Sequence, residues 1–142
     1  MRLTKHTDYA FRVLIYIASM REEKTTIQKL SQALEISNDH LKKVVNKLAS
    51  THWIAASRGK NGGIKLGIAP EALKLREVVE LMEQTLSPVN CEAPLCKLNP
   101  HCHLRGILDN AQQAFMESLD AYTLADLVKA PMPETILAIE VS

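Results

Sequence analysis

Apolar positions near the start of the chain recur at helical spacing. Ala10, Val13, Leu14, Ile17 and Ala18 form one stripe of an amphipathic helix that Thr4 or Thr7 can cap. A polar stretch from Met20 to Lys24 follows. Thr26 then stands where an N-cap belongs, ahead of a short helix with Ile27, Leu30, Ala33 and Leu34 turned inward. Glu35-Ile36-Ser37 interrupts it, and Ser37 can cap a third helix whose core face is Leu41, Val44, Val45 and Leu48. Two short helices with facing apolar stripes and so brief a joint predict a helix-turn-helix.

The period then changes. Trp53-Ile54-Ala55-Ala56 and Ile64-Lys65-Leu66-Gly67-Ile68 read as strands flanking Arg58-Gly59-Lys60-Asn61-Gly62-Gly63. The glycines admit positive φ, so the segment predicts a hairpin with a basic tip. Helix-turn-helix followed by such a hairpin is the winged-helix arrangement; a hairpin that only closes the core is the plainer alternative. The glycines have neither GxxxxGK(S/T) nor GxGxxG spacing, so a phosphate-cradling nucleotide loop is not expected.

Leu75, Val78, Val79 and Met82 predict a fourth helix. A long loop comes next, with Pro88, Pro94 and Pro100. Beyond it Leu104, Leu108, Ala111, Phe115, Ser118 or Leu119, and Tyr122 make a narrow stripe of about five turns, the pattern of a helix meeting its own copy. The alternative is a helix lying on its own domain. Thr123-Leu124-Ala125-Asp126 has capping-box spacing for a last short helix. The chain therefore reads as mainly α with a small β-hairpin: a winged helix-turn-helix domain at 1–84 with its wing at 53–68, a cysteine-bearing loop at 85–103, a dimerisation helix and short terminal helix at 104–130, and a loose tail at 131–142.

Charge sharpens this picture. Through residue 68 the chain holds twelve Lys/Arg against five Asp/Glu; beyond it, five against eleven. A basic front and an acidic back predict that only the front meets a polyanion. On the third helix the face opposite the core stripe carries Asn38, Asp39, His40, Lys42, Lys43, Asn46 and Lys47. Lysines there neutralise phosphate, and the short polar groups near the helix start can meet base edges in double-stranded operator DNA. Arg58 and Lys60 at the wing tip suit a narrow minor groove.

The longest apolar run, Val13 to Ala18, is six residues, far short of the ~20 that cross a membrane. Asp8 and Arg12 precede it, so it does not read as a signal peptide, and no membrane partner is expected. Three cysteines, an odd number, argue against a disulfide framework and for the reducing cytoplasm. Cys91, Cys96 and Cys102 follow C-x4-C-x5-C in a proline-bearing loop. Three thiols so close together point to a metal or cluster rather than to inert buried sulfur. Zinc completed by His101 or His103 and an iron–sulfur cluster with a non-thiolate fourth ligand both fit this donor set. An electron carrier would ordinarily supply four cysteines, and a thiol enzyme needs a base placed by a pocket, so neither class is expected; no catalysis is predicted.

Several segments together carry a resemblance. They are Arg2-Leu3-Thr4, Thr7-Asp8-Tyr9-Ala10, Arg58-Gly59-Lys60-Asn61-Gly62-Gly63 with Leu66-Gly67, the three cysteines, and Tyr122-Thr123-Leu124-Ala125-Asp126-Leu127-Val128. The chain resembles the Rrf-type iron–sulfur winged-helix regulators, which include IscR and RirA, and among them the NsrR-like nitric-oxide-sensing repressors. The resemblance runs from Met1 to about Val128. It implies a homodimeric transcriptional repressor with nitric oxide as effector and a [4Fe-4S] cluster, or a [2Fe-2S] form, in each subunit. It also implies Cys91, Cys96 and Cys102 as ligands, with Asp8 of the other subunit as the fourth. Read from the residues alone, Asp8 is equally a first-turn helix acid paired with Arg12 at i+4.

Overall fold

A computed structural model describes residues 2–20, 22–133 and 136. Thr4, Thr26 and Ser37 each turn a side-chain oxygen onto a backbone N–H three residues on, at 3.2–3.3 Å, and so start the first three helices. These are α1 (Lys5–Ser19), α2 (Ile27–Leu34) and α3 (Asn38–Ala49). Between α2 and α3, Glu35 takes a left-handed conformation at φ 54°, and Ser31 Oγ donates to the Ile36 carbonyl at 2.6 Å. That reversal lets Leu41, Val44, Val45 and Leu48 close on Leu30 and Ala33, all of them buried, as the spacing predicts.

Strands β1 (Ile54–Ser57) and β2 (Gly63–Leu66) pair antiparallel, Ile54 opposite Leu66 and Ser57 opposite Gly63. The ladder is shorter and shifted relative to the predicted strands. Trp53 and Gly67 lie just outside it, joined by one hydrogen bond at 2.8 Å, and Gly67 runs so close to the His52 carbonyl that a Cβ there would clash. The outer edge of β2 is not free. Thr25 exchanges both backbone hydrogen bonds with Ile64, so the connection after α1 supplies a third, one-residue rung.

A 3-10 turn (Pro70–Ala72) leads into α4 (Leu75–Met82), whose Leu75, Val78, Val79 and Met82 are all buried. An irregular loop then reaches α5 (His103–Asp120) and α6 (Leu124–Leu127). The last helix docks back on the start of α4: Leu124 N donates to the Leu73 carbonyl at 2.8 Å and Leu75 N to that of Tyr122 at 3.1 Å. Asp126 accepts from Thr123 N at 2.8 Å, as the capping box predicts. The ammonium of Lys129 first, and that N–H second, hold the Asp126 carboxyl below its ordinary range.

The central element is α1, against which α2, α3, α4, α6 and β2 all pack, and Ala10, Val13, Leu14, Tyr16 and Ile17 are essentially inaccessible. By contrast α5 buries only Met116. The predicted stripe is only partly covered in the single chain: Leu104 is 56% exposed and Ala111 is exposed, Leu108, Phe115 and Leu119 are half-buried, and Tyr122 lies beyond the helix end; Ile107, beside the stripe, is 63% exposed. At 100° per residue Met116 sits off that stripe, so the helix has two apolar faces where the sequence reading has one. The tail predicted at 131–142 falls mostly outside the described residues. Among those residues, no helix is long and apolar enough to cross a membrane.

Candidate functional site

The candidate reading face is the outer side of α3. Asn38, Asp39, Lys42, Lys43 and Asn46 are exposed there, since every inward position is taken by the four core residues. His40 is exposed but engaged: its ring lies 5.9 Å from Tyr9 and 6.0 Å from His6, edge-on to the latter. Lys47 reaches the other way and donates to the carbonyl of Met82, the last residue of α4, at 3.3 Å. Of the predicted DNA-facing residues, these two are therefore also ties between helices.

At the wing tip, Arg58 and Lys60 are exposed and have no side-chain partner among the described residues. Gly59 at φ 99° and Gly63 at φ 152° shape the turn, and Gly62 N closes it onto the Gly59 carbonyl at 3.0 Å. The three-sided packing of β2 gives this hairpin a fixed base.

The predicted sensing residues lie in two places. Cys91, Cys96 and Cys102 are free thiols, each partly exposed, on the loop before α5. Cys96 N donates to the Cys91 carbonyl at 3.0 Å, making one turn of the first two. Beside Cys91 is a cleft of about 490 Å³ lined also by Glu92 and Arg105. Yet among the described residues no three His, Cys, Asp or Glu side chains gather closely enough to hold an ion. The compact Cys3His arrangement open to the sequence is thus not assembled, and His101 and His103 both remain exposed.

Asp8 occupies the first turn of α1, where Arg12 grips it with Nη2–Oδ2 at 2.8 Å and Nε–Oδ1 at 3.2 Å. This is the i+4 pair the residues alone predict. Arg12 also lies over the Tyr9 ring at 5.9 Å. A carboxylate so held, on the surface at the edge of the reading domain, can exchange its arginine for another electropositive partner with little cost in core packing.

The sequence reading misses Glu83. It follows α4 directly and accepts, on one oxygen, from Thr4 N at 2.8 Å, Thr4 Oγ1 at 3.1 Å and Thr7 Oγ1 at 2.5 Å. Burial pushes its carboxyl up, but the Thr7 and Thr4 hydrogen bonds and the charge of Lys47 outweigh that and hold it below the ordinary value. Glu83 and Lys47 together join the exit of α4, where the thiol loop begins, to the start of α1 and to α3. A cleft of about 360 Å³ runs between these elements, lined by His6, Lys43, Lys47 and Glu83. No local pattern announces a bond across 76 positions; only the Thr4-x-x-Thr7 pair, with one hydroxyl more than a cap requires, hints at it.

Comparison with known proteins agrees with this architecture. The Rrf2 family, described as iron-dependent transcriptional regulators, matches residues 3–130. The structure is similar to that of CymR (YrzC), the global cysteine regulator of B. subtilis, at 26% identity and a TM-score of 0.73, over 90% of this chain and 96% of that one. It is also similar to the oxidized form of Staphylococcus aureus CymR (19% identity, TM-score 0.74, 94% and 100% covered). A third likeness is to IscR of T. potens (18% identity, TM-score 0.73, 91% and 87% covered). With its hairpin wing, its long helix after the thiol loop and a family match over nearly its whole length, the chain belongs to the Rrf2 family and is a winged-helix DNA-binding transcriptional regulator, not an enzyme.

Proposed function

We propose that this regulator is a homodimeric repressor whose operator affinity is set by an iron–sulfur cluster on Cys91, Cys96 and Cys102, with nitric oxide as the effector. The observation that carries this reading is the set of three free, partly exposed thiols on one loop, attached at its start to the reading domain through Glu83 and Lys47. The donor chemistry fits: thiolates suit iron–sulfur clusters, and a fourth, weaker oxygen ligand suits a site that must let go. The iron dependence by which the family is described supports the same choice. Asp8 of the partner is the proposed fourth ligand, and Arg12 is the group that would hold its carboxylate in the other state.

Bound there, a cluster would supply iron that reacts with nitric oxide. The chain's own residues do the rest. Glu83, through Thr4 and Thr7, and Lys47, through the Met82 carbonyl, pass a displacement of the loop to α1 and α3. The two recognition helices of a dimer must stand one DNA turn or a multiple apart, so a small change of posture lowers affinity. Asn38, Asp39, His40, Lys42, Lys43, Asn46 and Lys47 are the proposed groove contacts, with Arg58 and Lys60 on the wing. The uncovered Leu104 and Ile107 side of α5 is the proposed dimer face.

A second reading keeps the same dimer and replaces the cluster by the thiols themselves, oxidised and reduced, or by zinc. The existence of an oxidized form of the similar S. aureus CymR favours the thiol version of it. Anaerobic isolation followed by metal analysis and a visible spectrum, before and after nitric oxide, separates the two. A brown, iron-bearing protein bleached by nitric oxide with loss of duplex binding supports the cluster. Colourless, iron-free protein that still switches with an oxidant overturns it.

A further inference from the structure

The wing tip is tied to the body of the domain by a residue outside both strands. Lys24 Nζ donates to the Asn61 carbonyl at 2.8 Å, across 37 positions, and Asn61 lies between Lys60 and the glycine pair that ends the turn. The stem of Lys24 is equally placed. A Cβ at Gly63 would stand 2.9 Å from the Lys24 Cβ and 2.9 Å from the Thr25 carbonyl, so the strand can run against this connection only as glycine. The next residue, Thr25, is 1% exposed and exchanges both backbone hydrogen bonds with Ile64. Lys24 is thus fixed at its base by paired backbone, and its far end holds the tip of the hairpin. Arg58 and Lys60, on the same tip, have no partner of their own among the described residues.

We propose that Lys24 is a positioning residue for DNA recognition: it sets the angle of the wing tip, and so the depth at which Arg58 and Lys60 meet the groove, without contacting DNA itself. A hairpin of two short strands with a glycine-rich turn samples many tip conformations. One hydrogen bond from a charged donor on a rigid base narrows that sampling before DNA arrives, which lowers the ordering cost of binding. The proposal rests on Arg58 and Lys60 being DNA contacts, and the test keeps the two failures apart.

The test uses the anaerobically isolated full chain and a duplex that the protein itself selects from a random-sequence pool. Five forms are titrated in parallel: parent, Lys24→Met, Lys24→Arg, Arg58→Ala/Lys60→Ala, and the triple variant. Methionine keeps the stem over Gly63 and removes the donor. Loss of this tie should weaken binding by about fivefold in the parent, leave the thermal midpoint unchanged, and have no further effect once Arg58 and Lys60 are gone. Lys24→Arg, which keeps a donor, should bind like the parent. If adding Lys24→Met to Arg58→Ala/Lys60→Ala weakens binding as much as it does in the parent, Lys24 contacts phosphate directly and the inference is overturned. Parental affinity in Lys24→Met overturns it too. Parental affinity in Arg58→Ala/Lys60→Ala would instead remove the wing reading on which it stands.

Discussion

Thr7, in the first turn of α1, donates a hydroxyl hydrogen bond to Glu83, the residue that leaves α4, at 2.5 Å. Neither residue belongs to the reading face or to the thiol loop, yet the bond joins the helix that leads into that loop to the start of α1. Because Glu83 is stabilised as a carboxylate in the folded chain, its contribution is full above its ordinary value of 4.5 and is lost as pH falls through the lower folded value. Glu83→Gln should cost about 1–3 kcal/mol at neutral pH and flatten the acid limb of the stability curve. Denaturant titrations from pH 7 down to about pH 3 would check both.

The Asp8–Arg12 pair is half exposed on both sides, so it contributes little to folding. Asp8→Asn should lower stability by less than about 1 kcal/mol while changing the response of duplex binding to nitric oxide. An unchanged response, measured by gel shift under anaerobic conditions, would remove Asp8 from the proposed ligand set.

A charge introduced on α5 gives a third expectation. Leu104 and Ile107 touch little within their own chain, so Ile107→Glu should leave the monomer folded and break the proposed dimer. Sedimentation at micromolar concentration should show a single chain with native circular dichroism. A dimer of parental stability would place the interface elsewhere.

On α3 the basic and the neutral polar residues should fail differently. Lys43→Ala should remove the proposed phosphate contact, reducing the salt slope of binding by about one while weakening all duplexes alike. Asn46→Ala should leave the slope alone and relax the choice among sequences. Titrations at several salt concentrations, on a selected and a scrambled duplex, read both at once.

What the sequence discloses about this chain follows from locality. Thr4, Thr26 and Ser37 sit one turn ahead of the stripes they cap, and Leu41, Val44, Val45 and Leu48 repeat the helical period, so three helices and their inward faces are legible. The wing is legible from its glycines, though its ladder ends one or two residues away from the predicted limits. The C-x4-C-x5-C spacing names the thiols but not their mutual placement, which depends on a loop with no period. Contacts between distant segments are hidden: Glu83 with Thr7, Lys24 with Asn61, His40 with Tyr9. Each depends on tertiary placement that neither partner's neighbours encode. Met116 escapes for a related reason, since a helix serving two surfaces blurs its own pattern.

The junction of α6 with α4 has a wider consequence. Leu73, Leu75, Tyr122 and Leu124 fasten the far end of the α4–α5 pair by backbone bonds, and no residue of the thiol loop takes part. The loop between Glu83 and His103 is therefore bracketed by a clasp made wholly outside it, and a change in its length or chemistry leaves the two bonds of that clasp with the same donors and acceptors.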